Sequence, residues 1–135
     1  GDLEGCSVLD LFAGSGILGF EAASRGAVAI TFVDNNRRNV QLLHVNSQNL
    51  QGLVNMEVVC KECFHYLRVR HKYDIIFADP PYGIIDISKL VEKCLTTLVN
   101  NGRFVLETSF RESIPSGGSS KRYGDNMITI WTKTL

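Results

Sequence analysis

The sequence lacks most of what would mark a secreted, membrane-spanning or nucleic-acid-coating protein. No apolar run approaches the roughly 20 residues needed to cross a bilayer. The opening Gly1-Asp2-Leu3-Glu4-Gly5 has neither the basic start nor the apolar centre of a secretion signal. A cytoplasmic protein with no membrane partner is expected. Charge of one sign is also missing, since 14 Lys+Arg stand against 14 Asp+Glu. Proteins that grip bare RNA or DNA usually carry a basic surplus that releases phosphate counterions. Strong nucleic-acid binding by this stretch alone is therefore not expected, although a local basic patch remains open. Position 1 is not Met, so the chain is expected to be a piece of something longer.

Cysteine is scarce in the way that matters for metals. Cys60-Lys61-Glu62-Cys63 has CxxC spacing with His65 close behind, but no second pair stands at matching spacing. A structural zinc site wants four ligands. These cysteines read as small apolar packing residues, and neither metal nor redox chemistry is expected.

What is present is ordinary globular composition, with 44% hydrophobic and 21% charged residues. A chain of 135 residues can build one sizeable core and not two, so residues 1–135 are expected to form one domain. Short apolar runs alternate with helix-period segments, the pattern of a parallel sheet covered on both faces. Strands are expected at 7–11, 29–33, 56–60, 73–78 and 103–108. Helices are expected over 17–25, from Asn35-Asn36 to a stop at Gly52, around Phe64 to Arg68, and over 87–98. The last carries Ile87, Leu90, Val91, Cys94, Leu95 and Leu98 as a core stripe. Residues 109–120 are rich in Ser, Gly and Pro and read as a loop. Beyond them, Lys121-Arg122-Tyr123 and the run 127–132 read as a closing antiparallel hairpin. Five parallel units ending in a reversed hairpin fit the methyltransferase variant of the Rossmann-like sheet better than the dinucleotide-binding one.

The first chemical constellation is Asp10, Phe12, Ala13, Gly14, Ser15, Gly16 and, further on, Gly19. Glycines at a strand-to-helix turn let backbone approach a ligand closely. A tight turn in any α/β protein would use them too. The preceding acid shifts the balance, because Asp10 at a strand end suits the ammonium of an amino-acid ligand, directly or through water, and would repel a pyrophosphate. That favours S-adenosylmethionine over a nicotinamide dinucleotide. Asp34, at the end of the second strand and followed by Asn35, is placed to accept hydrogen bonds from ribose hydroxyls. Its plainer role is that of an acid at a helix start. Glu62, beside Cys63 after the third strand, could accept from an adenine amino group or could equally be a solvent-facing helix-start residue.

The most specific signal is Asp79-Pro80-Pro81-Tyr82-Gly83. Consecutive prolines fix the backbone and remove two N–H donors, leaving nearby carbonyls free to accept. An amino group conjugated to a base ring is a poor nucleophile. Hydrogen bonds from it to the Asp79 carboxylate and the Pro80 carbonyl would steer its lone pair toward a methyl donor. Such catalysis is positioning and electrostatics, with no metal required. Tyr82 would stack on the target base.

Together these motifs resemble the bacterial family that methylates the N2 amine of a guanine in small-subunit (16S) ribosomal RNA. The likeness runs through Leu9 to Gly19, Glu21-Ala22, Arg25-Gly26-Ala27, Asp79 to Gly83 and the closing Lys121-Arg122-Tyr123-Gly124-Asp125. It implies a Rossmann-like class I S-adenosylmethionine-dependent methyltransferase fold. It also implies a monomer acting on ribosomal RNA within the small subunit or an assembly intermediate. The family usually has Glu where Asp34 stands and Gly-Asp where Lys61-Glu62 stands. It also carries an N-terminal segment, a hairpin and a helix, ahead of the first strand, whereas this chain begins almost at that strand. Competing readings are a DNA adenine-N6 methyltransferase and a nucleotide-binding oxidoreductase. A non-catalytic module would have no need of the intact Asp79 to Tyr82 motif. A protein-glutamine methyltransferase would instead resemble Asn-Pro-Pro-Tyr.

Overall fold

The computed structural model describes residues 1–50, 52–68 and 71–134. β1 (Ser7–Leu11) leads through a glycine turn into α1 (Ile17–Ser24), and β2 (Ala29–Asp34) into α2 (Arg37–Ser47). β3 (Asn55–Cys60) precedes the single turn α3 (Cys63–Tyr66). β4 (Tyr73–Ala78) precedes α4 (Ile87–Thr96), and β5 (Leu98–Ser109), β6 (Ser119–Tyr123) and β7 (Asn126–Thr132) close the chain. All seven strands form one sheet in the order β3-β2-β1-β4-β5-β7-β6. The first five are parallel, and β7 pairs antiparallel with both β5 and β6. No helix among the described residues is long and apolar enough to cross a membrane.

Strand alternation sends successive side chains to opposite faces and builds two cores. On one face, Leu9, Leu11, Ile76, Ala78, Phe104 and Leu106 pack with residues of α3 and α4. On the other, Val8, Ile30, Phe32 and Ile75 pack with Ala22 of α1 and Leu43 of α2. α4 supplies its expected stripe, with Ile87, Leu90, Val91 and Cys94 buried. Asp86 caps it, accepting from the Lys89 N–H at 3.1 Å.

Several boundaries differ from the sequence reading, and the larger shifts have local reasons. α2 stops at Ser47 and a 3-10 turn carries Gln48 to Leu50, so Leu50 does not extend the helical stripe; Gln51, in the same expected helix, lies outside the described residues. α4 ends at Thr96, and Leu98 already belongs to β5. The early part of β5 is irregular, because Asn101 is left-handed at φ 67° and the β4 register shifts between Tyr73 and Ile75. Residues 119 and 120, expected in a loop, extend β6. Their polar side chains mark an exposed edge, where nothing forces apolar alternation.

The fit of α1 on the sheet decides the geometry of the site. A Cβ at Gly19 would stand 2.3 Å from the Phe32 ring, and one at Gly16 would meet Leu43 and Phe20 at 2.6 Å. Helix and sheet therefore meet without an intervening side chain. Gly19→Ala should destabilise the fold by about 1–3 kcal/mol, the range for overpacking a filled core. Urea denaturation checks this, and an unchanged midpoint would contradict the close fit.

Candidate active site

β1 ends in a turn of unusual backbone. Phe12, Gly14 and Gly16 all have positive φ, at 57°, 56° and 84°. The two glycines do different work. Gly16 is pressed under Leu43 and Phe20, whereas a Cβ at Gly14 would find only the Phe12 carbonyl oxygen, 4.0 Å away. Gly14 thus presents bare backbone to open space, the condition for close approach of a ligand.

That space is a cleft of about 470 Å³ over the ends of the central strands, within the size range of small-molecule sites. Of the residues singled out from sequence, Phe12, Gly14, Asp34, Asn35, Glu62, Cys63 and Pro81 line it. Ala13, Ser15 and Gly16 belong to the turn but not to the lining. The sequence reading missed Val33, Asn36, Asn39, Lys61, Ile84 and Ile85. The two isoleucines follow Gly83 directly and could have been found as an apolar pair on the same loop as the prolines. Asn39 falls one turn into α2, where helical phase alone did not separate it from solvent-facing neighbours.

Asp34 does more than face the cleft. Its Oδ2 accepts the Gly14 N–H at 2.9 Å, its Oδ1 accepts the Asn36 N–H at 2.8 Å, and the Asn39 amide reaches both oxygens at 3.4 Å. The carboxylate pins the glycine turn to the start of α2 while remaining at the cleft wall. Glu62 is similarly engaged as the N-cap of α3, accepting from the N–H groups of Phe64 and His65 at 3.0 Å and from the Cys63 thiol at 3.2 Å. Burial opposes its ionisation, but those donors and Lys89 hold the carboxyl below its ordinary range. The helix-start role of Glu62 is therefore present, with the residue also at the cleft. Cys63 packs into the core, and burial and Glu62 push its thiol up to about 12.

Asp10 departs from a direct contact with a ligand. It is 1% exposed and accepts the Gly19 N–H at 3.1 Å, lying beneath the turn rather than in the cleft lining. Its carboxyl is pushed up to about 7, chiefly by burial; the Gly19 N–H lowers it, and Asp34 and Asp79 raise it further.

Of the loop 79–83 that follows β4, Pro81 lines the cleft, whereas Asp79, Pro80 and Tyr82 do not. Pro80 is buried, Tyr82 is 59% exposed and Ile84 is 75% exposed. Gly83 donates its N–H to Glu112 Oε1 at 2.9 Å, tying this loop to the segment after β5. Asp79 is solvent-exposed, and loss of solvent on its inner side raises its carboxyl from its ordinary value. Glu107 was not foreseen. Ala78 and Leu106 are register partners on β4 and β5, so Asp79 and Glu107 each stand one residue beyond that pair at the sheet end. Burial and then the Asp79 charge hold the Glu107 carboxyl up. A single acid in an apolar strand gave no sequence signal, because its partner lies on another strand.

A family model described as "Conserved hypothetical protein 95" matches residues 1–132. Ribosomal RNA small subunit methyltransferase D of Buchnera aphidicola (subsp. Acyrthosiphon pisum) is 38% identical over 104 residues, covering 76% of this chain and 51% of that protein. The chain belongs to this methyltransferase D family. The Escherichia coli (strain K12) protein of the same name is 36% identical over 95 residues, covering 70% of the chain and 46% of the relative. The chain thus spans about half the length of these family members. Among solved structures, a conserved hypothetical protein of Streptococcus pyogenes aligns at TM-score 0.86 and 28% identity, covering 96% of this chain and 87% of that one. The Thermus thermophilus 16S rRNA N2 G1207 methyltransferase, solved with AdoMet and guanosine, aligns at TM-score 0.79. At 18% identity over 97% of this chain and 38% of that one, it shows the shared fold alone. The family fold is the class I S-adenosylmethionine-dependent methyltransferase fold, as the sheet order and closing hairpin required.

The Asp10 environment yields a signed expectation. Its folded-state pKa lies above the roughly 3.9 of an unfolded aspartate. Folding therefore disfavours the ionised form, and the contribution of Asp10 to stability is full below about pH 4 and lost as pH rises to about 7. Asp10→Asn keeps an acceptor for Gly19 and cannot ionise. Its stability relative to the unaltered chain should rise by roughly 2 kcal/mol between pH 5 and pH 8. Thermal denaturation at both pH values checks this, and an unchanged difference would show that Asp10 does not titrate there.

Proposed function

We propose that this chain is the cofactor-binding and catalytic part of a methyltransferase that transfers a methyl group from S-adenosylmethionine to the N2 amine of a guanine in small-subunit ribosomal RNA. The observation that carries the reading is the Asp79 to Tyr82 motif after β4, which reaches the cleft shared with Gly14 through Pro81. Family membership supports ribosomal RNA as the substrate class.

The residues present fit the cofactor. Gly14 offers open backbone, Asp34 stands at the wall for ribose hydroxyls, and Val33, Ile84 and Ile85 supply apolar surface for an adenine ring. Asp34 and Glu62 are the acids lining the cleft among the described residues, and their charge suits a ligand with a sulfonium and an ammonium while opposing a pyrophosphate. That contrast weighs against the oxidoreductase reading. When bound, S-adenosylmethionine supplies an electrophilic methyl carbon.

Everything else falls to the chain. The Asp79 carboxylate and the Pro80 carbonyl accept the two N–H bonds of the amine, freeing its lone pair from the ring. Tyr82 stacks on the base, and Asp79, its carboxyl raised from its ordinary value, is suited to take up the departing proton. Glu107 favours guanine over adenine. Guanine offers an N1–H donor next to its amine, and a second carboxylate can accept it. Adenine offers a lone pair at the corresponding N1, which a carboxylate repels.

Two measurements test the reading. Asp79→Ala should lower single-turnover methyl transfer about 10²-fold or more, the scale for one positioned charge-stabilising group, with cofactor affinity little changed by calorimetry. Full rate in that variant would overturn amine activation by Asp79. Glu107→Gln should be read on RNA carrying either guanine or 2-aminopurine at the target, since 2-aminopurine keeps the amine but has an N1 acceptor. The glutamine amide can donate to that nitrogen, so the preference for guanine should narrow by about 10-fold or more, the worth of one base-edge contact. An unchanged preference would remove Glu107 from base reading, and label on adenine N6 would overturn the guanine assignment.

A further inference from the structure

Among the cavities not used by the chemistry above, one is lined mainly by cationic side chains. A groove of about 550 Å³ runs between α3 and α4, lined by His65, Arg68, Lys89 and Lys93 with Phe64 and Leu67 as its apolar wall. Lys89 and Lys93 are four residues apart on α4 and so share one helix face. Lys89 Nζ lies 4.4 Å from the centre of the Phe64 ring. Among the described residues, Arg68, Lys89 and Lys93 make no ion pair. Among the described residues Glu62 is the one acid lining the groove; its oxygens accept from the Phe64 and His65 N–H groups and the Cys63 thiol, and it also attracts Lys89. Glu92 lies on the same helix but does not line the groove.

Like charges one turn apart on a helix cost stability, and in a chain of zero net charge nothing compels them to gather here. Position supplies a reason. Glu62 borders both this groove and the cofactor cleft, and α4 starts just after the loop bearing Tyr82. Other cations also stand at the sheet end, with Arg37 and Arg38 opening α2 after the cleft-lining Asn36, and a further one beyond β5 already engaged. There the Arg122 guanidinium stacks 3.8 Å over the Phe110 ring and bonds the Gly124 carbonyl, with Glu112 and Asp125 nearby in sequence.

We propose that the α3–α4 groove holds the phosphodiester backbone of the RNA next to the methylated nucleotide, with Lys89, Lys93 and Arg68 contacting phosphates. The proposal rests on the RNA reading above and names where that RNA lies. Backbone contacts of this kind fix register without reading sequence, leaving base choice to the cleft rim.

The test is binding of a fluorescent small-subunit ribosomal RNA fragment by anisotropy across a potassium chloride series. Each phosphate contact contributes about one to the slope of log affinity against log salt. The double variant K89Q/K93Q should lower that slope by about 1.5–2 and weaken low-salt affinity by about 10-fold or more. K89R/K93R should restore both. R37Q/R38Q, an equal charge loss on α2, should leave slope and affinity unchanged, and S-adenosylhomocysteine affinity should be the same in every variant. An unchanged slope in K89Q/K93Q, an equal loss in R37Q/R38Q, or no salt-dependent RNA binding by the unaltered chain would overturn the groove. Methyl label on a base other than guanine, with the groove variants behaving as stated, would instead overturn the guanine assignment and leave the groove standing.

Discussion

The architecture of the site hangs on how closely α1 lies against the sheet. With no side chain at Gly16 or Gly19, the helix settles onto Phe32 and Leu43. The Gly19 N–H thereby comes within reach of the Asp10 carboxyl. Asp10 is consequently buried at the end of β1, and the turn above it must reverse through three left-handed residues. The last tie is made from the neighbouring strand, where Asp34 takes the Gly14 N–H. Backbone approach, a buried acid and a cross-strand anchor are thus three results of one packing contact. A larger residue at either glycine would move all three together.

Much of this was legible in the chain because parallel strands buried on both faces leave continuous apolar runs. Ile75-Ile76-Phe77 and the runs around Leu9 and Ile30 identified their strands, and the sharp turn residues bounded them. The reading was weaker wherever partners come from separate strands. Asp10 looked like a ligand contact because a strand-end acid beside glycines carries no mark of what covers it. Glu107 looked like nothing, since its relation to Asp79 exists only through the β4–β5 register. The bulged start of β5 and the polar edge strand β6 were obscure for another reason. An exposed edge and an irregular register both relax the alternation on which strand reading depends. Asp34 and Glu62 had two readings each, and in the structure each caps or anchors a helix start while also standing at the cleft.

Zero net charge conceals a strong separation of sign. Carboxyl groups of Asp10, Asp34, Asp79 and Glu107 gather around the strand ends with Lys61 among them, whereas Arg68 and the α4 residues Lys89 and Lys93 stand on the flank beside Glu62. A cationic small molecule and a polyanion would therefore meet different fields on the same protein, a few side chains apart. Total composition could only show that the two signs balance.

The hydrogen bond from Gly83 to Glu112 has an evolutionary reading. Residues 110–118 form a surface connection of the kind that usually tolerates insertion and drift. Here one end of that connection is fastened to the loop that carries Tyr82, so changes of length in it are transmitted to the proline loop after β4. Sequence variation in this stretch is then a route by which family members reshape that loop without altering a single residue of the proline motif.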